Sequence, residues 1–532
     1  MFKKNYFYII LTLCVVLILI NIWWLKVAHR LLENESLMHF ESSLRVWELF
    51  SKFSMLNLLD LANYSLHPPL IGLLVRPFYF IFGAKLDAAI LIMNLIFLPL
   101  LVFSTFKIIE FLTKKQSLAL LGGAILLSYP CIVIFSRFYQ FELPLTAIVT
   151  TAMYFLIRSD FFSNRKFSIL FGVFAGMAML TRSFTGIFFI IGPLTYAFFN
   201  LNKKEKTINA RISLILLLVI TGIWYIPTVQ AIPSIIKCYF WSNSALIKPV
   251  PAVVEQFKIP FVIEDIINYK ISFLHFVLFC MSLVFFIRNI DRNKAIIILW
   301  LVIPYVFLIL FKLSTRYLVP VAPAFAIITS IGLGYFKNRH KYILSAVLVA
   351  YSIFLLCILT WEYSAFSVDK FPLKYKNIYL LDPFAKIKQY PAHPVIEKVD
   401  WHISEFFEAM KNSNPDPHET IGIVVWHLVY SEKPLAYYAR NYNMDLFFLP
   451  LVCYVGWDPI AKIEEEKIRY LIDSGDNRNP QLVEPIRKYI RDNIDSFQII
   501  FQKQLPDNNN LVVYKLKNGI ASSPGAKDSS SQ

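Results

Sequence analysis

The first 25 residues read MFKKNYFYIILTLCVVLILINIWWL, and this stretch decides the class of fold. Two lysines precede residues 6–25, which carry no charged side chain, and a membrane-spanning helix needs about 20 apolar residues. A secretory signal peptide also has basic residues before an apolar run, but its run is shorter and a small-residue cleavage site follows it. Here Trp23, Trp24 and Leu25 stand at that place. We therefore expect an uncleaved first membrane span.

Apolar runs of the same kind recur along the chain as far as residue 361. They predict a polytopic α-helical membrane protein with about 11 spans. The expected spans are 6–25, 83–106, 117–135, 141–157, 167–181, 184–200, 212–230, 271–287, 295–311, 317–336 and 342–361. The segment 69–82 is also largely apolar, and we expect a re-entrant or interfacial helix there.

The charged residues are few and unevenly placed. They make up 17% of the chain, against 57% hydrophobic residues, whereas soluble domains carry about 25% charged residues. The net charge of +16 is compatible with nucleic acid binding. However, lysines and arginines cluster in every second loop between the apolar runs, which is the positive-inside pattern. We therefore expect no nucleic acid partner, a cytoplasmic N-terminus and an extracytoplasmic C-terminal domain.

Charged residues return after residue 361, which predicts a change of domain. We expect a membrane domain over 1–361, with a first extracytoplasmic loop over 26–82, a soluble α/β domain over 362–518 and a disordered tail over 519–532. Within the soluble part, the pattern predicts strands at Ile421–Trp426 and Leu446–Val452, helices at Pro434–Asn441 and Ile460–Ile472, and a hairpin of Phe497–Gln502 with Leu511–Leu516. Alternating strands and helices are typical of a layered α/β domain.

The first extracytoplasmic loop holds a carboxylate and two histidines. Glu35 and His39 are four residues apart, so they share one face if the segment is helical. A carboxylate at the membrane surface can act as a general base toward an acceptor hydroxyl. The alternative is that these groups simply solvate a surface helix. The same loop contains the element His67-Pro68-Pro69-Leu70.

A short loop between two expected spans carries Arg137 and Glu142. Glu142 stands at the edge of the hydrocarbon, where an ionisable residue is costly and is therefore a functional candidate. Arg137 lies five residues earlier and is its expected partner. The alternative is an interfacial ion pair whose side chains reach toward the headgroups.

Further cations stand at the extracytoplasmic ends of spans, where the positive-inside rule predicts few. They are Arg182, Lys312 and Arg316. An ammonium and guanidinium groups at headgroup level suit a lipid-linked phosphate. The alternative is that they anchor the helices to lipid headgroups.

Together these segments resemble the GT-C superfamily of polyprenyl-phosphate-sugar-dependent glycosyltransferases, in particular protein O-mannosyltransferases and the aminoarabinose transferases acting on lipid A. The resemblance covers roughly residues 1–335. It rests on His67-Pro68-Pro69-Leu70, on Arg137 through Leu145, on the stretch Gly172 to Gly186 and on Arg316 to Pro323. The acidic pair of the family is incomplete here, because Asn34 or Ser36 stands beside the one retained carboxylate, Glu35.

The resemblance implies transfer of a sugar from a polyprenyl-phosphate lipid to an acceptor hydroxyl, with inversion, on the extracytoplasmic face of the cell membrane. The acceptor would be a cell-envelope glycan, a lipid or a protein. Glu35 would be the base, Glu142 would position the base, the acceptor or a metal, and His39 and His67 would position the acceptor or the loop. By the same analogy, the donor phosphate would be held by Arg137, Arg182, Lys312 and Arg316.

The resemblance leaves a divalent metal open, since some relatives use one and others do not. The six cysteines show no metal-ligand spacing. Two other functions remain open on the sequence alone. A transporter or flippase of lipid-linked glycans would favour inverted repeats and charges near the bilayer midplane, and a non-catalytic membrane scaffold would not need the missing acid.

Overall fold

The structure is a computed structural model, and it describes most of the chain. The described residues are 5–27, 34–51, 67–182, 185–201, 203–226, 228–229, 259–311, 315–361, 374–375, 378–379, 400–424, 430–451, 458–475, 480–506 and 508–517. Of the residues expected to form the site, Lys312 lies outside this part of the chain, as does the expected tail 519–532.

Helices form in each of the eleven segments that were expected to be spans, and Leu70–Phe82 is a helix as well. An α-helix within a bilayer satisfies all its backbone polar groups internally, which is why long apolar runs fold this way. The helices are Asn5–Val27, Leu86–Thr113, Gln116–Leu127 with Pro130–Ser136, Glu142–Arg158, Arg165–Met179, Thr185–Phe199, Lys204–Tyr225, Val262–Ile271 with Phe273–Arg288, Arg292–Phe311, Ala322–Leu333 and Asn338–Trp361.

The number of spans expected from the sequence is not confirmed. Among the described residues, six helices are long and apolar enough to cross a membrane, or up to eight if each of two bent pairs counts as one span. The helices Arg165–Met179 and Thr185–Phe199 have 15 residues each. At about 1.5 Å per residue such a helix covers roughly 22 Å, less than a hydrocarbon core of about 30 Å. The chain is nonetheless an integral membrane protein.

Two of the apolar segments are broken rather than straight. Gln116–Leu127 and Pro130–Ser136 meet at 64°, because Pro130 has no backbone N–H to continue the first helix. Val262–Ile271 and Phe273–Arg288 meet at 111° at Ser272, whose φ is 73°. The end of the first of these, Ile266–Ile271, is π-helical. Residues five apart align on a π-turn, and Asp265 and Lys270 form a buried ion pair across it.

Close helix packing holds the segment that ends at Arg182. Arg165–Met179 packs against Lys204–Tyr225, and a Cβ added at Gly172 would lie 2.3 Å from the carbonyl oxygen of Ser213. Only glycine allows this approach, as is common where helices pack in membranes. The C-terminal end of Arg165–Met179 is also fixed, because the hydroxyl of Tyr225 donates to the carbonyl of Met179 at 3.1 Å.

The chain divides into two compact units, which are described separately. One comprises Met1–Ala28 and His39–Ile396, and the other His29–Met38 and Glu397–Gln532. The expected division between a membrane domain and a soluble domain at residue 361 stays a prediction. The first unit also contains a short antiparallel pair of strands, β1 (Lys374–Tyr375) and β2 (Ile378–Tyr379).

The second unit contains a five-stranded mixed sheet, as expected for a layered α/β domain. Its strand order is β4-β3-β5-β7-β6. The central strand β3 is parallel to both β4 and β5, and the hairpin β6–β7 is antiparallel. The strands are β3 (Glu419–Ile423), β4 (Leu446–Pro450), β5 (Tyr470–Asp473), β6 (Phe497–Gln504) and β7 (Asn510–Leu516).

Helices cover both faces of this sheet. The side chains of Ile421, Ile423 and Ile472 pack with the helices Ile403–Asn412 and Glu432–Asn441. Val424 and Leu471 pack on the other face with Pro459–Glu465 and Pro480–Asp492. This two-sided burial explains the uncharged, largely apolar stretch from Ile421 to Val424 at the end of β3.

One prediction for the soluble part was wrong. The expected helix Ile460–Ile472 is a helix only over Pro459–Glu465, and Tyr470–Asp473 forms β5. Lys467 has a φ of 51°, a left-handed conformation that ends the helix. The apolar run after it then pairs with β3 and β7, because tertiary pairing overrides a local helical pattern.

Candidate functional site

Glu142 is the first residue of the helix Glu142–Arg158 and is 1% exposed. It forms an ion pair with Arg182, which is equally buried. The positive end of the helix dipole stabilises a carboxylate at this position. Buried ionised groups require such compensation. The ion pair and the helix N-terminus are thus the two contacts that compensate for the burial of this carboxylate.

Arg182 lies between two closely packed helices. Arg165–Met179 ends just before it, and Thr185–Phe199 begins just after it. Gly186 lets the two helices approach closely, since a Cβ there would lie 2.8 Å from the carbonyl oxygen of Ala178. This packing places the guanidinium of Arg182 beside the start of Glu142–Arg158.

Arg316 is the second cation near Glu142. It belongs to the 3-10 helix Thr315–Val321, and its Nε lies 3.8 Å from Oε1 of Glu142. Its side chain is 30% exposed, in contrast to that of Arg182. The ring of Tyr317 lies under both guanidinium groups, 4.3 Å from that of Arg182 and 5.2 Å from that of Arg316. Such cation–π contacts bring the two guanidinium groups together at one aromatic ring.

The second oxygen of Glu142 has no hydrogen-bond partner among the described residues, although it is buried. A buried carboxylate oxygen without a donor is unfavourable, and in native structures such groups often have a functional reason. Oε2 can accept a proton or a hydrogen bond from a bound molecule. The three side chains Glu142, Arg182 and Arg316 thus combine two cations with one acceptor.

The two histidines expected at the site meet at the residue before Glu142. The ring of His39 stacks on Phe141 with the centroids 4.0 Å apart, and His67 contacts the same ring edge-on at 5.4 Å. The two imidazoles lie 4.9 Å from one another. The fold therefore brings His67 of the Pro-Pro-Leu element, His39 and the start of the helix Glu142–Arg158 together.

Arg137 is not part of this cluster. The expected ion pair with Glu142 is not formed; its guanidinium is buried and donates to Asn21 Oδ1 at 2.9 Å, the carbonyl of Leu359 at 2.6 Å and Thr360 Oγ1 at 3.0 Å. The ring of Trp24 lies 4.9 Å from it. No carboxylate contacts it among the described residues. The carbonyl of Leu359, at the C-terminal end of Asn338–Trp361, supplies negative partial charge instead.

Glu35 lies in the first turn of the helix Asn34–Ser51, one turn before His39. The helical arrangement on which the two were expected to share a face is therefore present. Lys312 lies outside the described residues. Of the eight residues expected to form a site, the fold thus gathers five: Glu142, Arg182, Arg316, His39 and His67.

Two functional candidates were missed by the sequence reasoning. Phe141 and Tyr317 each directly neighbour an expected site residue, and they supply the rings on which the histidines and arginines lie. Their sequence signal was adjacency to Glu142 and Arg316, but an aromatic residue in a chain with 16% aromatics is no signal by itself. Only their contacts identify them.

Within the part of the chain that the structure describes, one group of side chains could hold a metal ion. Ligand atoms of Asp400, His402 and Glu405, in the second unit, lie within 4.8 Å of one another. However, Glu405 is already engaged, because Lys503 lies 2.8 Å from its carboxylate and His402 3.0 Å. Hydrogen bonds from Lys503 and His402 lower the pKa of the Glu405 carboxyl. An ammonium at this place opposes a cation, so the group carries no assignment.

Part of the chain matches the model of a known protein family. Residues 66–227 match the family model described as dolichyl-phosphate-mannose-protein mannosyltransferase. This range contains His67, Arg137, Glu142 and Arg182. No curated protein sequence matches the chain.

Solved structures with a similar fold include ArnT from Cupriavidus metallidurans. The apo structure matches with a TM-score of 0.58 at 13% sequence identity, over 96% of this chain and 98% of that one. ArnT bound to undecaprenyl phosphate matches with the same TM-score and identity, over 98% of this chain and 100% of that one. The resemblance inferred from the motifs is thereby confirmed: the chain has the GT-C fold of ArnT, and its residues 66–227 match the mannosyltransferase family model.

Proposed function

We propose that this protein is a membrane glycosyltransferase that moves a sugar from a polyprenyl-phosphate lipid to an acceptor hydroxyl. The observation that carries the proposal is the convergence of two guanidinium groups, those of Arg182 and Arg316, on the buried carboxylate Glu142 at a helix N-terminus. Guanidinium groups bind phosphate oxygens in pairs of parallel hydrogen bonds. The N-terminus of a helix favours a phosphate as well.

The reaction needs positive charge at the leaving group. The acceptor oxygen attacks C1 of the sugar, the bond from C1 to the phosphate oxygen breaks, and the acceptor proton passes to a base. The phosphodiester of the donor has one negative charge, whereas the departing polyprenyl phosphate has two. Arg182 and Arg316 would stabilise this developing charge, and fixed donors in a site removed from water are effective at this task.

Two carboxylates are candidates for the base. Glu35 is assigned this role by the resemblance to the GT-C superfamily, and attack from the face opposite the phosphate inverts the configuration at C1. Glu142 would position the arginines through Oε1, while Oε2 remains available to an acceptor hydroxyl or a metal. A general base must lie within hydrogen-bond distance of the proton that it takes, so the two roles can be separated by mutation.

The fold and the family model support this choice of reaction. ArnT, which has the same fold, has been solved with undecaprenyl phosphate, and the family model is that of mannosyltransferases that use a dolichyl-phosphate donor. The alternating charges of the loops support an N-terminus in the cytoplasm and a site on the extracytoplasmic face of the cell membrane. The acceptor would be an envelope glycan, a lipid or a protein.

The test is transfer of a labelled sugar from a polyprenyl-phosphate donor in membranes that contain the protein. We expect Glu35→Gln and Glu142→Gln each to reduce transfer at least a hundredfold, since removing a base or a key charge has effects of this order. Glu110→Gln is the matched control, because Glu110 pairs with Lys107 away from the site. It should transfer at the wild-type rate.

The other outcomes discriminate between the alternatives. Equal transfer by wild type and Glu35→Gln would remove Glu35 as the base. Movement of the lipid across the vesicle membrane without any sugar transfer would favour a flippase. Absence of both activities would favour a scaffold. Transfer that stops with EDTA and returns with Mg²⁺ or Mn²⁺ would assign a metal to the reaction.

A further inference from the structure

A cluster of cations and aromatic rings lies at the end of the membrane unit that is remote from Glu142. The helix Glu142–Arg158 has 17 residues, so Arg158 lies roughly 24 Å from Glu142 along the helix axis. Arg292 lies 4.0 Å from Asp160, so the basic loops that contain these two residues lie at one end of the unit. The positive-inside pattern predicts that these loops face the cytoplasm. The cluster is therefore separate from the proposed transfer site.

Arg158 is fixed by aromatic rings rather than by an acid. Its guanidinium lies 4.9 Å from the centroid of the Phe111 ring and 4.8 Å from that of the Phe167 ring. These rings belong to the helices Leu86–Thr113 and Arg165–Met179, so three helices set the position of this one cation. Arg158 is partly exposed, and its guanidinium makes no hydrogen bond or ion pair among the described residues. A guanidinium that stacks on rings keeps its planar fork of donors available to a phosphate.

Lys114 is the second cation of this cluster. Its Nζ lies 4.2 Å from the centroid of the same Phe111 ring. Lys114 follows the helix Leu86–Thr113 in a left-handed conformation, with a φ of 57°. Glycine is the usual residue at such a helix end, because a side chain is strained there. Strain of this kind is often retained for a function, and here the lysine brings a second positive charge to the ring that Arg158 contacts.

The neighbouring acid does not neutralise these two cations. Glu110 attracts Arg158 electrostatically, but its carboxylate forms an ion pair with Lys107 at 2.8 Å and accepts a hydrogen bond from Gln116 at 2.6 Å. Lys107 is therefore engaged, whereas neither Lys114 nor Arg158 has an ion-pair partner in the described part of the chain. A guanidinium and an ammonium that stand close together in this way favour an anion with several oxygens, such as a phosphate.

The position of the cluster indicates a lipid phosphate. Leu86–Thr113 is long and apolar enough to cross a membrane, so its last residues lie near the depth of the headgroups. Basic pockets between membrane helices on the cytoplasmic side bind anionic headgroups.

We propose that Arg158 and Lys114 bind the phosphodiester of an anionic glycerophospholipid, such as phosphatidylglycerol, in the leaflet remote from Glu142. Arg158 ends the helix that Glu142 begins, so the bound lipid anchors this helix at its far end. The site uses none of the residues assigned to sugar transfer and does not depend on that reaction.

The test is native mass spectrometry of the full-length protein in an uncharged detergent, titrated with phosphatidylglycerol or with zwitterionic phosphatidylcholine. We expect phosphatidylglycerol to bind at least tenfold more tightly. Arg158→Gln combined with Lys114→Gly should lower its affinity at least tenfold, because each basic residue adds to the attraction. The matched control is Arg288→Gln with Lys337→Gln. It removes two exposed cations from the same end of the unit, and it should bind the lipid as wild type does.

One single variant separates a ligand role from a structural one. Lys114→Gly removes the charge and also relieves the left-handed strain, so its melting temperature in uncharged detergent should be no lower than that of wild type. Its affinity for phosphatidylglycerol should nevertheless fall several-fold. Glu142→Gln should bind phosphatidylglycerol normally whatever its rate of transfer, so failure of this proposal can be told from failure of the proposed function.

Undecaprenyl phosphate tests the other source of a lipid phosphate. We expect its affinity to be the same for the double variant of Arg158 and Lys114 as for wild type. The inference is overturned if phosphatidylglycerol binds no more tightly than phosphatidylcholine, or if the control double variant loses as much affinity. It is equally overturned if Lys114→Gly binds phosphatidylglycerol normally, or if the double variant loses affinity for undecaprenyl phosphate instead.

Discussion

Arg182 pairs with Glu142 across 40 residues of sequence, and both side chains are almost completely buried. The pair joins the start of the helix Glu142–Arg158 to the turn after Arg165–Met179. Arg316 and the ring of Tyr317 complete the arrangement from a third segment. A charge pair at this depth is a structural constraint as well as a candidate for phosphate binding.

Breaking this ion pair should lower the free energy of unfolding considerably. Arg182→Met leaves the Glu142 carboxylate buried with only the more distant Arg316, and loss of one partner of a buried pair costs about 3–5 kcal/mol. The double variant with Glu142→Met should be more stable than the sum of the single effects, because neither charge remains. Thermal or denaturant unfolding of all four proteins measures the coupling. Additive effects would show that the two side chains do not interact.

The stack on Phe141 should affect activity more than stability. His39→Ala removes a ring at 4.0 Å from Phe141, a contact worth about 0.5–1.5 kcal/mol. If the stack positions the start of the helix Glu142–Arg158, the rate of transfer should fall roughly two- to tenfold, because a loss of this free energy corresponds to a rate change of that size. His39→Phe keeps an aromatic ring and should restore most of the rate. A variant with phenylalanine that is as slow as the alanine variant would assign the imidazole a chemical role.

Arg137 should behave as a structural residue. Arg137→Lys loses the planar fork that reaches Asn21, Leu359 and Thr360 together, so the cost should be about 2–4 kcal/mol. Arg158→Lys is the matched control, since Arg158 lies over the rings of Phe111 and Phe167 and a lysine keeps such contacts within about 1 kcal/mol. Comparison of the two melting temperatures checks this. If the Arg137→Lys protein has normal stability but a raised KM for the donor lipid, Arg137 contributes to donor binding, as the sequence predicted.

The packing at Gly172 should not tolerate a side chain. Gly172→Ala places a methyl group against the backbone of Ser213, and overpacking of this kind costs about 1–3 kcal/mol. Gly222→Ala meets only the flexible end of Ile226, at 3.1 Å, and should be neutral or slightly stabilising because alanine favours a helix. The two variants carry the same glycine-to-alanine change and differ only in its position. Equal melting temperatures would contradict the close approach of these helices.

Several elements could be predicted because their causes are local. The run 6–25 exceeds the length needed for a span, and it forms the helix Asn5–Val27. The apolar segments of β3 and β4 and the hairpin β6–β7 likewise follow from short alternating or continuous apolar patterns. The strand β5 could not be separated from the helix before it, because the left-handed turn at Lys467 has no strong signal in the residue type.

The candidate site also has a part that the sequence could predict and a part that it could not. Glu142, Arg182 and Arg316 could be singled out from the sequence, because an ionisable residue at the end of an apolar run is unusual. Their pairing could not be predicted. Arg137 is closer to Glu142 along the chain and was the expected partner, yet it packs against Asn21 and Thr360, near the two ends of the membrane unit's apolar sequence.

By itself the sequence determined that this is a membrane protein, where its long apolar helices lie, which ionisable residues stand at unfavourable positions, and which superfamily it resembles. These properties depend on run length, charge and motif, which are read along the chain. Only the tertiary structure decided which arginine meets Glu142 and which ring supports the histidines. Those outcomes depend on packing between segments distant in sequence, where each buried polar group must find its partner in space.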